Sequence, residues 1–176
     1  MRQFGILLGG IAALVLYGQS AHADIAVQFT EAAPKDRFVV TNRTTCEIAS
    51  GAITIDLSTS TSGLLFDTDP SGPGENVAQP FEIARSESVS ASFANVSDGA
   101  TTAEIRVRNF LPGGRIEVTV DVDDSVRSGP RGVQMIDASE MAGARVTFAT
   151  GPDVLYAATF DSGGQARIEL AGCPGT

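Results

Sequence analysis

The stretch that decides the fold is AEIRVRNFLPGGRIEVTVDV, residues 103–122. In its first half Ile105 and Val107 alternate with charged residues, and in its second half Ile116 and Val118 alternate with Glu and Thr. A period of two gives a strand one apolar face and one polar face, which is typical of antiparallel sheets that are covered on one side. Between the halves, LPGG supplies turn-forming residues. The stretch therefore predicts two half-buried strands joined by a hairpin turn.

The same pattern continues along the chain. Short runs rich in Ile, Val, Phe and Thr are separated by clusters of Gly, Pro, Asp and Ser at intervals of about 8–12 residues, and no long window keeps a helical period. DSGG at residues 161–164 is another predicted hairpin turn. This organisation predicts an all-β fold, an immunoglobulin-like antiparallel β-sandwich. Strands are predicted at residues 25–29, 37–42, 52–58, 63–67, 80–85, 88–93, 103–110, 115–122, 133–136, 144–150, 154–160 and 166–170.

The first 23 residues are predicted to be a signal peptide. Arg2 precedes the uncharged apolar run FGILLGGIAALVLY, and AHA has the small-x-small form of a cleavage site. The run would span only about 21 Å as a helix, which is too short for a bilayer core of about 30 Å. We therefore divide the chain into a signal peptide, residues 1–23, and a single domain, residues 24–176. The mature chain is expected to have no membrane span and to be secreted, periplasmic or held at the cell surface.

The charge of the mature chain limits its partners. Without Arg2, 11 basic residues stand against 21 acidic ones, a net charge of −10, and the single histidine, His22, leaves with the signal peptide. A chain of this charge repels phosphate backbones, so nucleic acid is a poor partner. Divalent cations and basic surfaces are better ones.

Two cysteines, Cys46 and Cys173, remain in this exported chain. An even number of cysteines in an oxidising compartment predicts a disulfide, which would tie the second predicted strand to the C-terminal tail. Catalytic use of either cysteine is disfavoured, because no histidine is left to activate it.

Acidic residues gather in TVDVDDS, residues 119–125, where Asp121 and Asp123 project from the same face of a strand and Asp124 lies at its end. Calcium takes six to eight oxygen ligands in irregular geometry, so this strand end is a candidate for half of a calcium site. The alternative is an acidic strand end in water, which also discourages pairing between sheet edges. The candidate ligands for calcium are Asp121, Asp123, Asp124, Glu31, Asp36 and Glu140.

The enzymatic classes find little support in the sequence. Two carboxylates could serve a glycosidase, but the mature chain has no tryptophan and one tyrosine, Tyr156, whereas sugar clefts generally use such rings. Zinc lacks its usual ligands, and Lys35 is expected to stay charged in a turn rather than activate a serine. We therefore expect a protein that is not an enzyme and has no catalytic residues.

Several stretches resemble a known group of proteins. The strand-turn-strand pattern resembles that of bacterial immunoglobulin-like modules in three stretches, DRFVVTNRTTCEI, AITIDLS and NFLPGGRIEVTVDVDD. More narrowly, FTEAAPKDRFVVTN, ITIDLSTSTSGLLFD, QPFE and DVDD resemble small exported bacterial proteins labelled aggregation factor core. That resemblance implies an adhesion or aggregation module, with calcium as a cofactor and a protein or cell surface as partner. The alternatives are a subunit of an envelope or fibre assembly, completed by strand exchange, and a carboxylate-dependent hydrolase.

Overall fold

The computed structural model describes residues 24–70, 78–124 and 136–173, and in these ranges the chain is built almost entirely of β-strands. A short 3-10 helix, Ala138–Met141, precedes the ninth strand. The predicted signal peptide and all but the last residue of the predicted strand 133–136 lie outside the described residues. The strands are β1 (Asp24–Thr30), β2 (Asp36–Asn42), β3 (Ile48–Asp56), β4 (Leu64–Asp67), β5 (Glu82–Glu87), β6 (Ser90–Phe93), β7 (Thr102–Phe110), β8 (Arg115–Asp124), β9 (Arg145–Ala149), β10 (Leu155–Thr159) and β11 (Gln165–Glu169).

The strands form two antiparallel sheets packed face to face. In the first sheet the order is β11-β1-β2-β8-β4, and β5 also pairs with β8. In the second sheet the order is β10-β9-β3-β7-β6. The prediction of an all-β antiparallel sandwich is therefore confirmed, and each predicted strand that falls on described residues is present with small shifts of its ends.

The alternating pattern produces the core between the sheets. Every second residue is buried along β2, along β7 as far as Val107 and along β8 as far as Val122, and side chains from both sheets form one hydrophobic cluster. Within this cluster the ring of Phe38 packs beside three others, with its centroid 5.1 Å from that of Phe29, 6.3 Å from that of Phe66 and 6.3 Å from that of Phe160. Full burial of a large apolar side chain stabilises a fold by roughly 1.5–3 kcal/mol before entropy is counted, so these phenylalanines are core residues.

The turns LPGG and DSGG are not hairpin turns, which corrects the sequence prediction. LPGG connects β7 in the second sheet to β8 in the first, and DSGG connects β10 in the second sheet to β11 in the first. The LPGG turn is held from outside, since Gly113 N donates to Asn42 O at 2.8 Å and Leu111 N donates to Ser88 O at 3.0 Å. Alternation buries the same residues whether two successive strands lie side by side or face each other across the core. Periodicity therefore could not separate these two arrangements.

The predicted disulfide between Cys46 and Cys173 is confirmed. It joins the β2–β3 connection to the C-terminal segment, four positions after the end of β11, with the two Cα atoms 5.9 Å apart and a sequence separation of 127. Such a bond is typical of proteins from oxidising compartments, which is compatible with an extracellular or periplasmic location. Across the described ranges, no helix is long and apolar enough to span a membrane.

Candidate functional site

Of the six acidic residues singled out in the sequence, Asp121, Asp123 and Asp124 lie at the C-terminal end of β8, and Asp36 on β2 is the most buried of the six. Its side chain is 4% exposed. One carboxylate oxygen accepts a hydrogen bond from Ala32 N at 3.1 Å, and the other accepts one from Val122 N at 3.1 Å. Asp36 therefore ties the β1–β2 turn to β8, because each of its oxygens holds a main-chain N–H.

Burial raises the pKa of Asp36 from its ordinary value of 3.8 to about 6. Burial is the largest cause of this raised pKa; the negative charges of Glu31 and Asp123 act in the same direction, and the two main-chain hydrogen bonds oppose the rise. Each of these two carboxylates interacts electrostatically with Asp36, so the structure brings Glu31, Asp36 and Asp123 into one acidic neighbourhood. Like charges that approach in this way favour either a proton or a cation between them.

A second acidic position lies where β4 runs beside β8. Asp121 is directly opposite Asp67 across the two strands, and Asp123 is opposite Leu65. Asp67 is fully buried, and Gln79 is 5% exposed with its amide nitrogen 3.2 Å from a carboxylate oxygen of Asp121. Asp67 and Gln79 were missed by the sequence reasoning, since neither belongs to a motif and only the strand pairing shows their position.

Asp124 and Glu140, the last two members of the predicted ligand set, make local contacts at a strand end and at a helix cap. Asp124 is half-buried at the end of β8, and its main-chain N donates to Asp123 Oδ1 at 2.9 Å. Glu140 caps the 3-10 helix, since one of its oxygens accepts from Asp137 N at 2.9 Å and the other from Ser62 Oγ at 2.9 Å. The same capping box lowers the pKa of Asp137 through the hydrogen bond from Ser139 N.

The described part of the chain contains no group of three or more His, Cys, Asp or Glu side chains arranged to hold a metal ion. The calcium set predicted from the sequence therefore stays a prediction. Its members divide into the neighbourhood of Glu31, Asp36 and Asp123, the position of Asp121 at β4, the strand end at Asp124, and the capping residue Glu140.

The second candidate site is a groove on the outer face of the first sheet. It has a volume of about 610 Å³ and runs over β11, β1 and β2 towards β8. We call it the arginine groove, because four of its lining residues are arginines on an otherwise acidic protein. The four are Arg37, Arg43, Arg115 and Arg167.

Ion pairs hold three of these arginines. Arg37 Nε is 3.1 Å from a carboxylate oxygen of Glu117, and Arg115 is 3.9 Å from the other oxygen of the same carboxylate. Arg167 is 3.3 Å from Asp24, whose side chain is nearly buried. Arg43 is exposed and makes no ion pair with any residue in the described ranges. Because Arg37 and Arg115 share one carboxylate, the groove keeps an excess of positive charge.

The chain was compared with known proteins at the level of sequence. No model of a known protein family matches it. No curated protein sequence matches it either. The structure therefore defines the class as an all-β sandwich with a disulfide, and the resemblance to aggregation factor core proteins stays an interpretation of the sequence.

Proposed function

We propose that the mature protein is an exported, non-enzymatic module of the adhesion or aggregation type, which contacts a protein or cell surface through its arginine groove. The observation that carries the proposal is the position of this groove. It lies on the exposed face of a sheet whose other face is core, in a fold whose C-terminal segment is tied to the β2–β3 connection by the Cys46–Cys173 bond. A rigid sheet face with fixed charges is suited to binding a large partner.

The buried carboxylates favour a structural role over a catalytic one. A general acid or base must reach a substrate proton, yet both oxygens of Asp36 are engaged by main-chain N–H groups. Its raised pKa follows from burial beside Glu31 and Asp123 rather than from an open cleft. The hydrolase alternative would be supported by a hydrolytic activity of the protein that the substitution Asp123→Asn abolishes.

Assembly by strand exchange is the other alternative. The strands at the sheet edges, β4, β5, β6, β10 and β11, are four to six residues long. Short edges are a common means of preventing edge-to-edge pairing. Leu155 on β10 is nevertheless 64% exposed, and concentration-dependent oligomers that Leu155→Lys removes would favour this alternative.

Calcium belongs to the proposal as a stabilising ion. A divalent cation beside Glu31, Asp36 and Asp123 would offset the repulsion among these carboxylates, and main-chain carbonyls and water could complete its coordination. Binding would then stabilise the end of the sandwich where the β1–β2 turn meets β8.

The experiment that tests the proposed function uses microbeads coupled to the oxidised mature protein. We expect these beads to cluster with one another or with intact bacterial cells, whereas beads carrying reduced and alkylated protein stay dispersed. Calcium and chelator are compared in parallel. Dispersed beads under every condition would contradict the adhesion role, and hydrolytic turnover of a cell-surface polymer would move the protein to the enzyme class.

A further inference from the structure

The arginine groove has a floor of small side chains between two arginines. In one row across the sheet, Ala26 of β1 lies between Arg167 of β11 and Thr41 of β2. Thr41 in turn lies opposite Arg115 of β8. Three strand spacings of about 4.8 Å separate Arg115 from Arg167, so their Cα atoms are about 14 Å apart. The two guanidinium groups can therefore both reach a ligand that rests on Ala26 and Thr41.

The charges of the groove select an anion. Asp161 lines one end of the groove. Among the neighbouring carboxylates, Glu117 is shared by two arginines and Asp24 pairs with Arg167. Glu87 lies opposite Arg115 but pairs with Arg85 of its own strand. Of the residues that line the groove, four are arginines and one, Asp161, is a carboxylate, on a mature chain of net charge −10. A local positive excess on an acidic protein draws an anionic group to one place. The planar guanidinium fork binds carboxylate and sulfate oxygens in pairs, which a lysine ammonium does not.

The remaining lining residues indicate the kind of polymer that carries the anion. None of the described residues around the groove is aromatic, so it offers no ring on which a base or a neutral sugar could stack. It offers hydroxyl and amide groups instead, from Gln28, Thr30, Thr41 and Gln165. These side chains can bond to sugar hydroxyls.

The position of the groove also disfavours a peptide added as a strand. The groove runs over β11, β1 and β2, and both edges of β1 and of β2, which form its floor, are already paired within the sheet. A peptide on this face would find no main-chain partners, whereas β-augmentation depends on them. A polymer recognised by its charged groups and hydroxyls fits the face better.

We propose that the arginine groove binds an acidic polysaccharide, one with carboxylate or sulfate groups along its length. This inference rests on the proposed function, since it names the chemical class of the cell-surface partner. Arg115 and Arg167 would hold the anionic groups at the two sides of the floor. Arg43 would supply a charge that no carboxylate in the described ranges neutralises.

The test measures binding of the oxidised mature protein to polygalacturonate and to dextran sulfate, with neutral dextran as the control polymer. The variant is Arg43→Gln/Arg115→Gln. Its matched control is Arg106→Gln/Arg108→Gln on the second sheet, which removes the same charge from an exposed strand face. Thermal unfolding first establishes that both variants are folded.

We expect at least one polyanion to bind, neutral dextran not to bind, and added salt to weaken binding. The groove variant should lose at least about tenfold in affinity, since hydrogen bonds to charged groups are the strong ones, and the control variant should stay within about twofold. Equal losses in both variants would overturn the proposal in favour of a net-charge effect. Polyglutamate binding as tightly as the polysaccharides would overturn it in favour of an acidic peptide.

The bead assay on the same proteins separates this inference from the proposed function. Beads that cluster with cells while neither polyanion binds would overturn the groove assignment and leave the adhesion role standing. Polyanion binding that depends on the groove, without any clustering, would support the groove assignment and contradict the adhesion role.

Discussion

A carboxylate oxygen of Asp36 accepts a hydrogen bond from the main-chain N–H of Val122 at 3.1 Å, across 86 positions of sequence. The other oxygen accepts from Ala32 N, four residues before it. The same side chain thus closes its own turn and fixes that turn to the far end of β8. These two hydrogen bonds require the Asp36 carboxylate to be buried near Glu31 and Asp123, and burial together with these charges raises the pKa of Asp36.

Asp36 should make the stability of the protein depend on pH between about 4 and 6. Its pKa is about 6 in the folded chain against an ordinary value of 3.8, so the folded state holds the proton more tightly in this range. Its contribution to stability is fully present below the ordinary pKa and is lost as pH rises through about 6. A difference of about two pKa units corresponds to about 3 kcal/mol.

The measurement is the free energy of unfolding in urea at several pH values, for the natural protein and for Asp36→Asn. The difference between the two proteins isolates Asp36, and it should be about 2.4 kcal/mol larger at pH 4 than at pH 7. Glu31→Gln is the second variant. Removing this neighbouring charge should shift the transition to lower pH, and a difference that does not vary with pH would refute the assignment.

Calcium should raise the melting temperature if the acidic end of β8 binds it. At a concentration one hundred times the dissociation constant the gain is about 2.7 kcal/mol, or on the order of 5–10 °C for a domain of this size. Magnesium should have a smaller effect, because it demands a regular octahedral site. The measurement is thermal unfolding in chelator, in calcium and in magnesium.

Asp121→Asn/Asp123→Asn should abolish the calcium effect. The matched control is Glu47→Gln/Glu169→Gln, which removes two exposed negative charges elsewhere and should leave the shift in place. Identical melting temperatures in all three solutions would rule out calcium and leave these aspartates as an acidic strand end.

Asn42 should be among the most sensitive polar positions. It is fully buried, and its amide donates to Phe110 O at 2.7 Å and to Cys46 O at 3.1 Å while its oxygen accepts from Thr44 N at 2.9 Å. Asn42→Ala leaves buried partners unsatisfied and should cost about 3–5 kcal/mol of unfolding free energy. Asn95→Ala, at an exposed asparagine, is the control and should change stability by less than about 0.5 kcal/mol. A loss below about 1 kcal/mol at Asn42 in urea denaturation would contradict this account.

The sequence was sufficient to predict the strands but not their arrangement. Alternation located β7 and β8 almost to the residue, because burying one face leaves a period of two wherever a strand lies. It could not assign the two strands to different sheets, since both arrangements bury the same residues. The contacts of Asp36 with Val122 and of Asn42 with Phe110 span 86 and 68 positions, so a local sequence pattern cannot predict them. The sequence therefore named acidic residues of the candidate site without showing their contacts, and it did not indicate the arginine groove at all.

Gly51 is the reason why the predicted start of β3 differs from the start in the structure. The predicted strand began at Ala52, whereas β3 begins at Ile48 and runs through Gly51. A Cβ atom on Gly51 would collide with the ring of Phe148, a fully buried side chain that stacks on Tyr156 with ring centroids 6.4 Å apart. The glycine therefore makes room for the ring within a strand, a position that sequence patterns treat as a strand break.

Gly51→Ala should lower the free energy of unfolding by about 1–3 kcal/mol, because the added methyl group overpacks the core. Gly151→Ala is the matched control. A Cβ there meets no atom within 4 Å, and the lower entropy of the unfolded chain should leave stability unchanged or raise it by up to about 1 kcal/mol. Phe148→Leu combined with Gly51→Ala should recover part of the loss, a coupling that a double-mutant cycle in urea measures. Equal stabilities of the two alanine variants, or the absence of coupling with Phe148, would show that contact with the Phe148 ring is not the reason why position 51 requires a glycine.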